Sequence, residues 1–386
     1  MIEAVDLNSN ELHTSRGKLI LAGSQLFAEK WYGAVSVAEI CRRASLSNGC
    51  FYRYFKSKEE LFRAILDNIT MQIDQALQRV QGGPPEARLF SFTEIVFNFS
   101  RDNPSLIHVF REGQYRFFEC EQRLEDIYTA ALGKVLGGPA SQAEYEFALG
   151  GLRFAAIRSA FYGIPVKLEA LQDILVHGLF PEMPIDEEMV FANIPSEPPN
   201  DSDQSAKSRL LREGRKLFGR LGYFETNIHQ ITDAAGLSVG AFYTHFESKE
   251  AFYGELISMV GMELRHFISS NLGSGLNRLE KEIRGLWLFI VYLQHDPNCY
   301  NIVREAEFVL PDTVRAYYDA FANGYRKHPE GSGGLDETTS IEFLIGVAHY
   351  FGLSAVFNKS AGEARSRVLA IGRLLREGLN SRLSQR

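Results

Sequence analysis

Apolar positions recur at three- and four-residue spacings along most of the chain, and alternating runs bounded by hairpin turns are scarce, so the pattern predicts helices nearly throughout. Leu19, Ala22, Leu26 and Phe27 share one face of a first helix over about 15–31. Ser36 is placed to cap a second helix, with Glu39 at its third position and Val37, Ile40 and Ala44 facing inward. Leu46-Ser47 interrupts the periodicity. A short third helix then starts near Ser47 and turns Phe51 and Phe55 inward. Ser57 caps a fourth, opened by Lys58-Glu59-Glu60, whose Leu61 and Ile65 continue the core. Further on, 146–163 and 340–357 are apolar almost all round and rich in Gly, Ala and Ser. Such helices need cover on several sides, and their small residues let helix axes approach. Arg153 and Arg158 in one, and His349 with short length in the other, argue against a membrane span.

The pattern occurs twice. Shifting the chain by 191 positions aligns 16–62 with 207–253 without a gap, and 16 of those 47 positions are identical. Asp102-Asn103-Pro104 and Val109-Phe110-Arg111-Glu112 return, with a two-residue slip, as His295-Asp296-Pro297 and Ile302-Val303-Arg304-Glu305. A duplicated architecture is the reading. Between the copies, 181–206 is dense in Pro, Ser and Asp and reads as a linker. The expected organisation is an all-α chain with a helix-turn-helix domain over 1–62 and a helical regulatory domain over 63–180. After the linker come a second helix-turn-helix domain over 207–253 and a second regulatory domain over 254–386.

Two short helices joined by a tight turn make a helix-turn-helix, whose second helix can enter the major groove. In the first copy that helix leaves Asn48, Gly49, Tyr52, Arg53 and Lys56 outside, and the amide, aromatic hydroxyl and guanidinium among them suit base edges and phosphates. Residues 38–63 hold six Lys/Arg against three Asp/Glu, a local positive patch on a chain of net charge −7. In the second copy the bases crowd the first helix instead: Lys207, Arg209, Arg212, Arg215, Lys216 and Arg220.

Phe51-Tyr52-Arg53-Tyr54-Phe55-Lys56-Ser57-Lys58-Glu59, its twin Phe242-Tyr243-Thr244-His245-Phe246-Glu247-Ser248-Lys249-Glu250, and the preceding Leu46-Ser47 and Leu237-Ser238 resemble the TetR family of bacterial repressors. The resemblance implies that Tyr52, Lys58, Tyr243 and Lys249 hold phosphates. It makes Ser47, Asn48, Cys50, Arg53 and Tyr54 base or backbone readers, with Ser238, Val239, Ala241, Thr244 and His245 in those places in the second copy. Ser36 and Asn227 open the second helices, where backbone N–H groups favour a phosphate. The chain departs from the family in two respects. The family ends its first helix with Gly followed by an aromatic, as Gly222-Tyr223 does in the second copy, but the first copy has Trp31-Tyr32-Gly33. Gly33 is expected to take over the chain reversal there. The second reading helix is also the poorer in polar groups.

The same resemblance implies that the downstream helices form an effector pocket and a dimer interface. Candidate effector contacts are Phe110, Arg111, Gln114 and Tyr115 in the first copy and Arg304 and Glu307 in the second; the alternative is an internal Arg–Glu pair that orients bundle helices. Two nonidentical modules suit an asymmetric operator in double-stranded DNA, read by one chain as an intramolecular pseudo-dimer or by a homodimer. The effector expected is a small molecule, hydrophobic or aromatic.

Composition adds exclusions. The chain has 386 residues, 45% hydrophobic and 23% charged, as in soluble globular proteins of two or more domains. No signal-like start or long apolar run occurs, so no membrane association and a cytoplasmic location are expected. Cys41, Cys50, Cys120 and Cys299 are scattered without ligand spacing, so no metal, cofactor or disulfide framework is expected. No P-loop, nucleophile elbow, zinc-protease or dinucleotide motif occurs, which argues against an enzyme. The reading is a ligand-responsive DNA-binding repressor. The competing one is a protein-interaction scaffold with a degenerate second helix-turn-helix.

Overall fold

In the computed structural model, residues 13–80, 82–193, 203–326, 336–357 and 364–384 are described, and all the regular structure among them is helical. The chain divides into two compact units, and the division does not follow the repeat. One unit holds the chain up to Ser141, Leu152–Gln172 and the segment from Arg382; the other holds Gln142–Gly151 and Asp173–Ser381.

The first unit opens with α1 (Ser15–Glu29), α2 (Val37–Arg43), α3 (Asn48–Tyr54) and α4 (Lys58–Leu77). Side-chain caps set each start: Thr14, Ser36, Ser47 and Ser57 accept a backbone N–H three residues on, and Ser36 with Glu39 completes a capping box. Phe27, Phe51 and Phe62 are fully buried between these helices. α4 runs without a break through the expected domain boundary at 62, so the helix-turn-helix and the start of the regulatory region share one rod. Prolines open α5 (Pro85–Asp102) and α6 (Pro104–Arg116) at positions whose N–H would go unused in any case. α6 lies close on α4 because position 113 is glycine; a Cβ there would come within 2.4 Å of Leu66. α7 (Phe118–Leu136) ends at Gly137 in the left-handed region, φ 73°.

α8 (Gln142–Tyr145) and a π-helical turn (Glu146–Gly150) belong to the second unit, whereas nearly all of α9 (Gly151–Tyr162) belongs to the first. The apolar helix expected over 146–163 is present as one continuous helical run to Tyr162, its first turn widened to π-helical geometry. α10 (Leu168–His177) straddles the division, and α11 (Glu187–Phe191) lies in the second unit.

The second unit repeats the opening with α12 (Ala206–Leu221), α13 (Ile228–Ala234), α14 (Val239–Tyr243) and α15 (Lys249–Asn271), and α15 likewise runs through the expected boundary at 253. α16 (Arg278–His295), α17 (Asn298–Val309), α18 (Pro311–Arg326), α19 (Glu337–Phe357), α20 (Ala364–Glu377) and α21 (Asn380–Leu383) complete the chain. The π-helical turn packs on α19 through Phe147 and Phe343, whose rings lie 5.2 Å apart edge to face. A Cβ on Gly150 would meet Gly346 O at 3.4 Å, so the small residues do bring two backbones together.

The span expected as a linker is partly folded. Residues 194–202 lie outside those described, but in 181–193 α11 buries Val190 completely and sets Phe191 edge-on to Trp287 of α16. Arg284 of α16 donates to the carbonyls of Val190 and Ala192, both at 2.8 Å, and the Asp186 N–H donates to Glu280 at 2.8 Å. The proline density hid this short apolar face. Among the described residues no helix is long and apolar enough to cross a membrane.

Candidate nucleic-acid interface

The turn between α2 and α3 is made by Ala44-Ser45-Leu46, with Ser45 in the left-handed region at φ 56° and the Leu46 N–H donating to Cys41 O at 2.9 Å. In the second copy Gly236 takes the same conformation at φ 63°, and Leu237 donates to Thr232 O at 2.8 Å. One geometry is therefore built twice, once with the residue that adopts it without strain and once with a serine. The turn sets α3 on α2, and the buried Phe51 and Phe55 fix its rotation. Asn48, Gly49, Tyr52, Arg53, Tyr54 and Lys56 are left exposed, and Cys50 half-buried.

Ser47 spends its lone pair on the Cys50 N–H and keeps a hydroxyl hydrogen to donate. Arg53 has no carboxylate partner among the described residues, so its guanidinium faces water as an available fork. Gly49 needs no bareness for packing, since a Cβ there would meet only Ser47 Oγ at 3.9 Å. Its twin Gly240 is equally open, with Ser238 Oγ at 3.7 Å. The open backbone suits close approach by a ligand, a role sequence reading did not assign to either glycine.

On α14 Ser238 caps the helix, Tyr243, Thr244 and His245 are exposed, and Val239 and Ala241 are half-buried. Thr244 returns its hydroxyl to Ala241 O at 2.7 Å. Ser36 and Asn227 lie exposed at the starts of α2 and α13, each in a capping box.

Lys58 and Lys249 do a different first job from the one expected. The Lys58 ammonium donates to the carbonyls of Tyr32 and Val35, both at 2.7 Å, and lies 4.2 Å above the Tyr32 ring. Lys249 donates to Tyr223 O and Thr226 O at 2.8 and 3.0 Å, 4.0 Å above the Tyr223 ring. Burial lowers both pKa values from the ordinary lysine range. Each lysine therefore ties the start of the fourth helix to the loop after the first, with one donor of three left over.

The N–H of the same residue is held from the other side, by a glutamate of α6 in the first copy and of α17 in the second. The Tyr32 N–H donates to both oxygens of Glu112, at 2.9 and 3.1 Å, and the Tyr223 N–H donates to Glu305 of α17 at 2.6 Å. Glu112 is fully buried, and burial pushes its pKa up to about 7 against the opposing pull of Arg116 and the Tyr32 N–H. Arg116 bonds Glu112 at 3.2 Å and covers the Trp31 and Tyr32 rings. Sequence reading noted both glutamates only within the repeated Arg-Glu pair, as an internal pair orienting bundle helices, and not as latches on Tyr32 and Tyr223.

Gly33 does not make the expected reversal, for its φ is not positive. α1 ends at Lys30 in extended conformation, Tyr32–Ala34 form a 3-10 turn, and a Cβ on Gly33 would strike the Trp31 indole nitrogen at 2.4 Å. The glycine is there to admit the tryptophan. In the second copy Gly222 does take the left-handed region, φ 84°.

The bases of the first helix of the second copy are largely engaged in pairs within the chain, Arg215 alone in a sheltered one. Arg215 is bound to Glu263, Asp296 and the Tyr292 hydroxyl, Lys207 to Glu255, and Lys216 to Glu213. Arg209 donates to Ala235 O and Arg212 to Asp203 O. Arg220 is exposed and pairs with no carboxylate among the described residues.

The effector candidates separate. Phe110 is core, and Gln114 is buried on Glu121, which also pairs with Arg153 at 3.0 Å; Arg111 and Tyr115 are half-buried. In the second unit, Arg304 lines a cavity of about 710 Å³ among α15–α20, whereas Glu307 is not in its wall.

Two short helices crossing at a fixed turn, the second presenting a polar outer face, define a helix-turn-helix protein, here with two such modules. The model of the bacterial regulatory proteins of the tetR family matches residues 19–65 and again 210–256. The chain thus carries two helix-turn-helix modules similar to those of the tetR family, one in each repeat. It is 39% identical over 66 residues to the HTH-type transcriptional repressor DhaR of Mycobacterium sp. (strain GP1), a stretch covering 17% of this chain and 33% of that protein. To the HTH-type transcriptional activator FasR of Mycolicibacterium smegmatis it is 32% identical over 104 residues, 26% of this chain and 47% of the other. The chain thus spans a third to about half the length of these relatives. The fatty acid degradation regulator FadR from Bacillus halodurans aligns in structure with a TM-score of 0.39 at 16% identity, covering 46% of this chain and 98% of that one.

Proposed function

We propose that the protein is a DNA-binding transcriptional regulator, a ligand-responsive repressor whose two helix-turn-helix modules read the halves of an asymmetric operator. The observation that carries this is the outer face of α3. It sets Asn48, Tyr52 and an uncompensated Arg53 on a helix whose rotation is fixed by buried phenylalanines. An arginine fork there suits a guanine edge, Asn48 an adenine, and the Tyr52 and Ser47 hydroxyls the flanking phosphates. Cys50 and Tyr54 flank that face, and Lys58 keeps one donor for a phosphate once its two carbonyls are served.

In the second module Tyr243, Lys249 and Arg220 serve mainly to hold the backbone, while Ser238, Thr244 and His245 offer a thinner reading set and Val239 and Ala241 only apolar contact. The pairing of most basic groups of α12 favours a second reading for that module alone, as a protein-docking element. One chain serving both half-sites is the assembly we favour. It is supported by the packing of the Glu146–Gly150 turn of the first repeat on α19 of the second, within one unit. Half-site centres would then lie about 34–36 Å apart.

The test is fluorescence anisotropy on the promoter region beside the gene, with mass measured on the free and bound protein. One chain per site and an affinity falling steeply with salt are expected. Two chains per site would remove the pseudo-dimer, and no salt-dependent binding near ~100 mM salt would remove the regulator.

A further inference from the structure

The cavity in the second unit has walls of Leu286, Phe289, Leu293, Val303, Leu344 and Val347, and at about 710 Å³ it is of the size that encloses a small molecule. Its charged lining is one-sided. Arg265, Arg278, Lys281 and Arg304 face it against a single carboxylate, Glu282. That carboxylate is already committed, to Arg278 at 2.8 Å and to the Tyr325 hydroxyl. Arg265 of α15 is half-buried with its guanidinium 5.3 Å over the Phe321 ring, and no carboxylate pairs with it among the described residues. A guanidinium partly withdrawn from water and left without a counter-ion favours a ligand that brings one.

A glycine says the space is kept open. Gly261 and Gly352, beside the same chamber, are required by packing, since a Cβ would come within 2.6 Å of Tyr317 or 2.5 Å of Phe289. Gly285 is not: it lies inside α16, lines the cavity, and a Cβ there would meet nothing within 4 Å. Glycine in a helix interior costs about 1 kcal/mol relative to alanine, and here no packing contact offsets it.

We infer that this cavity binds an apolar or aromatic molecule carrying one anionic head group, its body in the chamber and its head on Arg265. The inference gives a chemical class to the effector of the proposed regulator, and it is read without DNA. Two fluorescent probes that share one ring system serve: 8-anilino-1-naphthalenesulfonate, and N-phenyl-1-naphthylamine, which lacks the sulfonate.

On the full chain the sulfonate is expected to bind at least about tenfold more tightly than its neutral twin, as a charge-assisted hydrogen bond would give. Arg265→Gln is expected to raise the sulfonate Kd about tenfold and to leave the amine within about twofold. Gly285→Phe is expected to abolish binding of both while leaving helicity and melting temperature at or above those of the parent. Equal affinity for the two probes, a sulfonate Kd indifferent to Arg265→Gln, or binding that survives Gly285→Phe would each overturn the assignment. Probe binding as expected in a protein that binds no promoter DNA would sink the regulator and keep the cavity's ligand class; the converse result would do the reverse.

Discussion

Replacing Glu112 by Gln is expected to remove a pH dependence from the first unit. The carboxyl is buried without exposure, and its pKa stands at about 7 against an ordinary 4.5, burial outweighing Arg116, the Tyr32 N–H and Lys58. The folded protein therefore binds this proton more tightly than the unfolded chain. The stability the group contributes is full below pH 4.5 and is lost as pH rises through 7. A shift of that size corresponds to roughly 3 kcal/mol between the two limits. Glutamine still accepts the Tyr32 N–H but does not titrate. The stability difference between parent and Glu112→Gln should swing by about 3 kcal/mol between pH 4.5 and pH 8, in favour of the variant at the higher pH. Other titrating groups are common to both proteins and cancel. Trp31 covers this site and Trp287 is the other tryptophan of the chain, so urea unfolding followed by fluorescence in a Trp287→Phe background reports the first unit. A swing under about 1 kcal/mol, or one favouring the parent at pH 8, would refute the account of Glu112 as a desolvated carboxyl.

Three further outcomes are expected. Lys58→Met removes two charge-assisted hydrogen bonds and should cost roughly 2–4 kcal/mol in the absence of DNA, read by thermal unfolding; a loss under about 0.5 kcal/mol would return Lys58 to a pure phosphate role. Exchanging the turn residues should move stability in opposite directions by about 1 kcal/mol: Ser45→Gly relieves a left-handed serine, and Gly236→Ser strains a left-handed glycine and crowds Arg209, whose guanidinium lies 2.9 Å from the new Cβ. Arg53→Ala should weaken specific binding by about 1–3 kcal/mol and relax one operator position, whereas Arg220→Ala should weaken all sequences alike and flatten the salt dependence, both seen by titrating operator and scrambled duplexes.

The helix-turn-helix was legible because its signals are local. Ser36, Ser47 and Ser57 cap helices three residues away, and Phe51 and Phe55 follow a helical period. Glu112 was not legible as a latch, because its partner is a backbone N–H 80 residues earlier and no periodicity marks that pairing. Charge counting identified the basic first helix of the second copy but not its use; Arg215 points inward to carboxylates 48 and 81 positions away, where a count of bases sees only a positive surface. The folded start of the expected linker was missed for the converse reason: Val190 and Phe191 are too few to show as a pattern, yet they suffice against α16.

The backbone of Tyr32, gripped at its N–H by Glu112 and at its carbonyl by Lys58, has the same grip at Tyr223, although the residues displayed on α3 and α14 have parted company. Mechanically, each module is a chassis bolted at a point remote from its lettering. Residues 47–56 can accordingly be exchanged with 238–247 like type in a press: the cap Ser47 or Ser238 and the two buried phenylalanines travel with the cassette, and the bolts stay behind. On the proposed function, a chain bearing two copies of the first cassette is expected to favour DNA with two identical half-sites over the asymmetric site of the parent.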